Sequence, residues 1–462
     1  MILPKNEKNY TLLMCSFMTV YSLDQIFGFA SIVNMLRILD DTYRYSFYLL
    51  LFIIFFTCCY FLYLKNKKII NLFILIIFFS TTYNLINNEK NIKRISEYEI
   101  RENQISKIQI DSNIGNHNPT IVLILDEMNG LGGLNDEIHN TKRTKINSNY
   151  FFKKYDFIHY PNAYSIYAST ADSVPSLLNF HYEYNYEKMK NFRKPDNKNF
   201  AIYEKIMSNK LFDLFDANKV YVHQTLGLDF CAYENFKICK TINPFSKNYE
   251  YIDNFELNNL DYIFSKYSFQ TSIFATLLTR FLRHFNLIKI IEPRLIGKVT
   301  IEHVLKDLFV QSKKKEYDLI LGHLLAPHKP FAWEENNCKY KYYKNPNFLS
   351  EEKLQEYHNI EIECINKYLG SFLDKLKQHD LLNYYNIIIT SDHGARNLNF
   401  ANHEQDWHSV LYAERKIGDV YEKNLSIKPT QLLFNNFFNN KKINNIKNKV
   451  YDHKISKYKS KN

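Results

Sequence analysis

A chain of 462 residues has room for one large or two ordinary domains around a well-buried core. Its net charge of +11 is spread along the sequence instead of forming a nucleic-acid-binding stripe; the lysine-rich tail from Lys441 to Lys461 reads as a solvated end. The seven cysteines lack zinc-finger spacing, and the wealth of Asn, Lys, Ile, Tyr and Phe reads as coding bias with little functional content.

The amino-terminal 90 residues read as a membrane anchor of two to three helices. Phe47 to Leu64 and Ile69 to Asn88 are 18 and 20 residues without a charge, each long enough to cross a hydrocarbon core. The cationic loop Lys65-Asn66-Lys67-Lys68 between them should face the cytoplasm. Tyr10 to Leu36 is mostly apolar but holds Asp24 and Gln25, and is expected to be a third span whose acid faces other helices. With three spans, everything beyond about residue 90 lies on the outer side of the membrane. There Cys231, Cys239, Cys338 and Cys364 are free to pair, and Cys231 and Cys239 are close enough to close a small loop.

Residues 91–118 read as a polar linker, and 119–440 as the catalytic domain, ahead of the basic tail 441–462. Thr120-Ile121-Val122-Leu123-Ile124-Leu125 has the unbroken apolar pattern of a parallel strand buried on both faces, and it ends in Asp126-Glu127. Small and hydroxyl residues at Ser169-Thr170-Ala171-Asp172-Ser173-Val174-Pro175 precede a helix-like run. A helix is expected at Leu211 to Ala217 and a strand at Val220 to His223, with mostly helical pattern from Phe255 to Lys306. Tyr317 to His323 is a second buried strand leading to Ala326-Pro327-His328-Lys329-Pro330. Glu351 to His379 is a long amphipathic helix; Asn386 to Thr390 is a third buried strand ending in Ser391-Asp392-His393-Gly394; Ser409 to Ala413 completes the series. Strands alternating with helices predict an α/β fold, a mixed or parallel sheet with helices on both faces.

Three strand ends therefore carry polar groups: Asp126 with Glu127, His323 to His328, and Asp392 with His393. In an open α/β sheet such ends converge on one crevice. Two acids, a histidine and a hydroxyl suit a catalytic divalent metal, zinc or manganese, better than a closed structural site. Thr170 is the candidate hydroxyl: at a helix start it has backbone N–H groups beside it to hold an anion, and a metal would activate it as a nucleophile.

In this order the motifs resemble the alkaline phosphatase and sulfatase superfamily, and within it the membrane-anchored sulfatase-like hydrolases and transferases. Ser169 to Pro175 is similar to the nucleophile motif of phosphoethanolamine transferases, Ala326 to Phe331 to the histidine-proline loop of bacterial sulfatase-like proteins, and Ser391-Asp392-His393-Gly394 to the metal-binding motif of the whole superfamily. The resemblance implies an alkaline-phosphatase-like fold. Asp126, Thr170, Asp392 and His393 become metal ligands, Glu127 an alternative or second ligand, Thr170 the nucleophile, and His328 a contact to the transferred group that protonates the leaving group. A further histidine would touch substrate, with His403 and His408 both eligible and His408 favoured by its place before the last strand. The metal would be zinc, with manganese, calcium or magnesium as alternatives.

The sequence departs from true sulfatases, which carry Cys or Ser in a C/S-x-P-x-R motif. Ser173-Val174-Pro175-Ser176-Leu177 has leucine in place of the arginine, and register puts Thr170, not Ser173, at the nucleophile position. An unmodified threonine implies phosphoryl transfer, of phosphoethanolamine or phosphoglycerol type, from a phospholipid headgroup or to an envelope glycan. The chain would then be a multi-pass inner-membrane protein with a periplasmic catalytic domain and no nucleic-acid partner. The alternatives are a sulfuric ester hydrolase and a degenerate, non-catalytic binding protein.

Overall fold

The structure, a computed structural model, describes residues 98–102, 117–195, 202–225, 227–242, 301–328, 331, 333–335, 337–339, 350–395, 408–439, 449–452 and 457–460. All belong to one unit formed by Glu97–Phe255 and Glu292–Asn462. The expected membrane anchor, most of the linker and most of the Phe255 to Lys306 segment lie outside the described residues. Among the described residues no helix is long and apolar enough to cross a membrane.

In chain order the strands and helices that build the domain are β1 (Tyr98–Glu102), β2 (Thr120–Asp126), α1 (Thr141–Lys154), β3 (Ile158–His159), α2 (Thr170–Leu178), α3 (Tyr186–Phe192), β4 (Arg193–Pro195), β5 (Ile202–Ile206), α4 (Lys210–Asp213), β6 (Val220–Gln224), β7 (Gly227–Asp229) and β8 (Ile238–Ile242). They continue with α5 (Ile301–Lys314), β9 (Leu319–Pro327), α6 (Glu351–Gln378), β10 (Asn386–Ser391), β11 (Tyr412–Arg415), β12 (Glu422–Lys423) and α7 (Thr430–Asn439). Nine strands form one sheet in the order β1-β8-β6-β9-β2-β10-β11-β3-β12. Its five central strands, β8 to β10 in that order, run parallel, and the antiparallel pairings lie towards the edges. β4, β5 and β7 form a separate three-stranded sheet.

The middle of the sheet is covered on both faces, which is why its strands are apolar without alternation. Val122, Ile124, Leu319, Leu321 and Ile388 pack with Val174, Leu177 and Leu178 of α2 and Leu433, Phe434, Phe437 and Phe438 of α7. α5 and α6 cover the opposite face, with α1 packed against α6 and stacking Phe152 on His159 of β3. α5 comes close because β9 has a glycine beneath it: a Cβ on Gly322 would lie 2.6 Å from Leu308 Cδ1. α6 starts where the sequence predicts, at Glu351, capped by Ser350, whose Oγ accepts the Lys353 N–H at 3.3 Å.

Three expectations shift. The helix expected at Leu211 to Ala217 stops at Asp213, and a short 3-10 turn over Ala217–Lys219 leads into β6 instead. The strand expected to end at His323 continues to Pro327, so His323 is an interior residue and His328 is the one delivered by the strand end. The last strand begins at Tyr412, because Val410 and Leu411 donate instead to the carbonyls of Ala163 and Met128, binding the site loops together. The four cysteines expected to be free to pair do so: Cys231 with Cys239, and Cys338 with Cys364.

Candidate active site

β2 and β10 are adjacent and parallel, with Ser391 opposite Leu125. Asp126 and Asp392 therefore leave the sheet side by side, one at the last position of its strand and the other just beyond. The Asp392 N–H donates to Leu125 O at 3.1 Å, which prolongs the ladder to the point where the side chains diverge. Glu127 then turns the chain in a left-handed conformation (φ 63°), uncommon for a residue with a Cβ.

That turn is stitched to the other loop. The Glu127 N–H donates to Asp392 Oδ1 at 3.0 Å, Met128 N–H to Ser391 Oγ at 2.9 Å, and Ala395 N–H to Asn129 Oδ1 at 2.6 Å. Ser391 Oγ in turn donates to His393 O at 2.9 Å, and His393 N–H donates to Asp392 Oδ1 at 2.6 Å. One oxygen of Asp392 thus takes two backbone N–H groups, which fixes the carboxylate plane. The His393 imidazole is oriented in the same manner: Gly394 O, 2.8 Å away, can only accept, so Nδ1 carries the proton and Nε2 presents a lone pair.

Nε2 of His393 lies 3.4 Å from Asp392 Oδ2 and 3.8 Å from Asp126 Oδ1. Each of the three residues offers one donor atom, and these atoms all lie within 4.8 Å of one another. All three side chains are buried. Two carboxylates this close in a buried place are unfavourable without a compensating cation. Oxygen and imidazole donors, with one imidazole tautomer fixed by a carbonyl behind it, are the donor chemistry of a divalent site such as zinc or manganese. The residues fit the implied metal.

Thr170 completes the group. It is the first residue of α2, and its Oγ1 is 3.1 Å from His393 Nε2 and 3.5 Å from Asp126 Oδ1. Its neighbour Ser169 occupies the cap position with extended backbone, but the Ser169 hydroxyl makes no capping bond to the helix. The hydroxyl donates to Asp172 Oδ2 at 2.8 Å instead. The N–H groups of Thr170 and Ala171 at the start of the helix remain beside the Thr170 hydroxyl, where a helix favours an anion.

The sulfatase family pattern matches residues 119–414, well over half of the chain. The chain belongs to the sulfatase family. As a member it is a hydrolase or transferase acting on sulfuryl or phosphoryl esters. No curated sequence matches it. Similar solved structures include the lipooligosaccharide phosphoethanolamine transferase A of Neisseria meningitidis (12% identity over 81% of this chain and 63% of that one, TM-score 0.35). Others are the periplasmic domain of EptC from Escherichia coli (13%, 74% and 84%, 0.38) and an alkaline phosphatase superfamily protein from Vibrio parahaemolyticus (10%, 75% and 82%, 0.39).

The other residues predicted for this sulfatase-family site fall in different places. Glu127 is buried beside the Asp126–Asp392–His393 group, but its carboxylate is directed to His328, with Oε1 3.5 Å from Nε2, and is outside the three-residue cluster. His328 is itself buried, held just past the end of β9. His323 is fully buried against the Phe230 ring (centroids 5.4 Å apart), and burial lowers its pKa to about 4. It is a neutral core histidine at physiological pH. His408 is buried with Nδ1 donating to Ser165 O at 2.8 Å, which ties it to the segment that leads into Thr170. His403 lies outside the described residues.

Sequence reasoning passed over Ser391, Asn129 and the Ser169–Asp172 pair. Ser391 stood inside a recognised motif without a role, and Asn129 carries no pattern of its own. The pair did leave a signal: Ser169 and Asp172 have the spacing of a capping box, with aspartate in the usual glutamate position.

Proposed function

We propose that the chain is a metal-dependent phosphoryl-group transferase or phosphodiesterase that works through Thr170 on the outer side of a membrane. The observation that carries this reading is the convergence of the Thr170 hydroxyl on the buried Asp126–Asp392–His393 group, at the mouth of a helix. Asp126, Asp392, His393 and Thr170 would hold the ion. A bound divalent cation would lower the pKa of the threonine hydroxyl and offset charge on the ester. Thr170 Oγ1, having given up its proton to solvent, is the attacking atom, forming a bond to phosphorus as the bond to the leaving oxygen breaks. The backbone N–H groups at the start of α2 hold the non-bridging oxygens. His328, oriented by Glu127, supplies the proton to the leaving oxygen, and a sugar hydroxyl or water then takes the phosphoryl group from the threonine.

A threonine supports phosphoryl over sulfuryl transfer, since it is neither the cysteine nor the serine that sulfatases modify. Two disulfides support an oxidising compartment. The long apolar runs before residue 90 support an anchor that keeps the site near lipid headgroups. The test is an intact-mass measurement after incubation with vesicles of phosphatidylethanolamine and phosphatidylglycerol. The wild-type protein should gain a phosphoethanolamine or glycerophosphate adduct on Thr170, and Thr170→Ala should gain none. Turnover of sulfate esters without any phosphoryl adduct would establish the sulfatase alternative instead.

A further inference from the structure

We infer that Arg193, carried on the small second sheet, is a positioning residue for the Thr170 turn: by holding Asp172 it keeps the Ser169 hydroxyl off the start of α2. This rests on Thr170 being the nucleophile. Arg193 stands at the first position of β4, paired to β5 and away from the main sheet. Its guanidinium forks across two acids, with Nη2 2.9 Å from Asp172 Oδ1 and Nη1 2.6 Å from Glu204 Oε1. Arg193 and Glu204 are mostly covered and Asp172 is buried, so solvent screens this triad little. Burial pushes the Glu204 carboxyl above its ordinary value, against the pull of Arg193.

The consequence lies one hydrogen bond further on. A serine at the cap position ordinarily turns its oxygen onto the N–H two or three residues ahead. Here Asp172 Oδ2 takes the Ser169 hydroxyl proton, and the serine makes no cap. Asp172 can do so only while its other oxygen is fixed by Arg193. The N–H groups of Thr170 and Ala171 then stay available to the transferred group. Without Arg193 the carboxylate would be a buried, uncompensated charge in the first turn. It would take backbone N–H groups for itself and repel an anionic ester. Thr170 and Asp172 project from different sides of the helix, so Arg193 acts through the turn and not by touching substrate.

The probe is bis(p-nitrophenyl) phosphate, with steady-state rates and the Thr170 adduct measured on the full chain. Arg193→Met should raise KM more than it lowers kcat and cut kcat/KM about tenfold to a hundredfold, the equivalent of one or two charge-assisted hydrogen bonds. Added salt should narrow that deficit, because part of it is charge repulsion. Arg193→Lys should fall between, since an ammonium meets one acid well but lacks the fork. The decisive variant is the double substitution Asp172→Asn with Arg193→Met. The amide oxygen still accepts from Ser169 but carries no charge, so most of the lost kcat/KM should return. An Arg193→Met protein with wild-type kcat/KM overturns the inference. So does a double variant that melts like wild type yet stays as slow as the single one. A wild-type protein that forms no adduct and turns over no diester sinks the Thr170 reading, and the role of Arg193 with it. An adduct that forms in wild type and as fast in Arg193→Met sinks this inference alone.

Discussion

Ser391→Ala removes a single oxygen from the centre of the site and should be felt twice. Ser391 Oγ is buried, accepts the Met128 N–H at 2.9 Å and donates to His393 O at 2.9 Å. Both bonds have good length, and each contributes about 0.5–1.5 kcal/mol net. The Met128 N–H loses its acceptor where the alanine methyl cannot replace it, adding a desolvation penalty of about 1–3 kcal/mol, part of which the loop recovers by relaxing. The sum is a loss of about 2–4 kcal/mol, measurable as a drop in the urea midpoint at unchanged slope. The second effect is local. Met128 follows Asp126 by two residues and His393 follows Ser391 by two, so loosening this link moves the two loops apart. Metal content, by atomic emission after dialysis against a weak chelator, should fall in Ser391→Ala and be kept in Ser391→Thr, which retains a hydroxyl. A variant that loses less than about 0.5 kcal/mol, the level of an ordinary surface change, and keeps its full metal would show that the loops are positioned by the strands alone.

Two further substitutions probe the frame. Glu414 is largely enclosed and accepts from Tyr412 Oη at 2.8 Å and Tyr160 Oη at 3.4 Å; burial pushes its carboxyl up to about 7. A raised folded-state pKa means that the native protein holds this proton more tightly than the unfolded chain. The stabilisation is complete below the ordinary value of about 4.5 and drains away as pH rises towards 7. Wild type should therefore lose stability against Glu414→Gln between pH 5 and pH 8, read from paired urea curves; parallel curves at the two pH values would refute this. Gly130→Ala would bring a Cβ to 2.6 Å from Val410 O and 2.9 Å from Pro161 O, both backbone atoms. The site loop must shift, at a cost of about 1–3 kcal/mol in melting experiments, with metal affinity falling alongside.

The parts of the fold legible in the sequence are those whose signal is local. β2, β9 and β10 announce themselves as apolar runs because parallel strands at the centre of a three-layer domain are covered on both faces. Their polar ends, Asp126, His328 and Asp392 with His393, follow from the same reading. What stayed hidden depends on contacts between distant segments. Arg193 meets Asp172 from 21 residues away on a sheet that no periodicity marked. Cys338 reaches Cys364 across 26 residues. The end of β9 was misplaced for a different reason: His323 looks like a polar stop, yet in neutral form beside Phe230 it is tolerated inside the strand. The Ser409 segment looked like a strand from its apolar residues, but its N–H groups go to the site loops.

The register of β2 against β10 has one more implication. Asp126 and Asp392 start from the spacing of neighbouring strands, about 4.8 Å in any sheet, and the hydrogen bonds of Ser391 and Asp392 hold the loops that begin there to it. The distance between the two acids is thus inherited largely from the buried centre of the sheet. Segments beyond these hydrogen-bonded turns could be lengthened, shortened or exchanged without moving the two acids apart. Novelty at the rim and constancy at the centre are separated by the hydrogen-bond ladder itself.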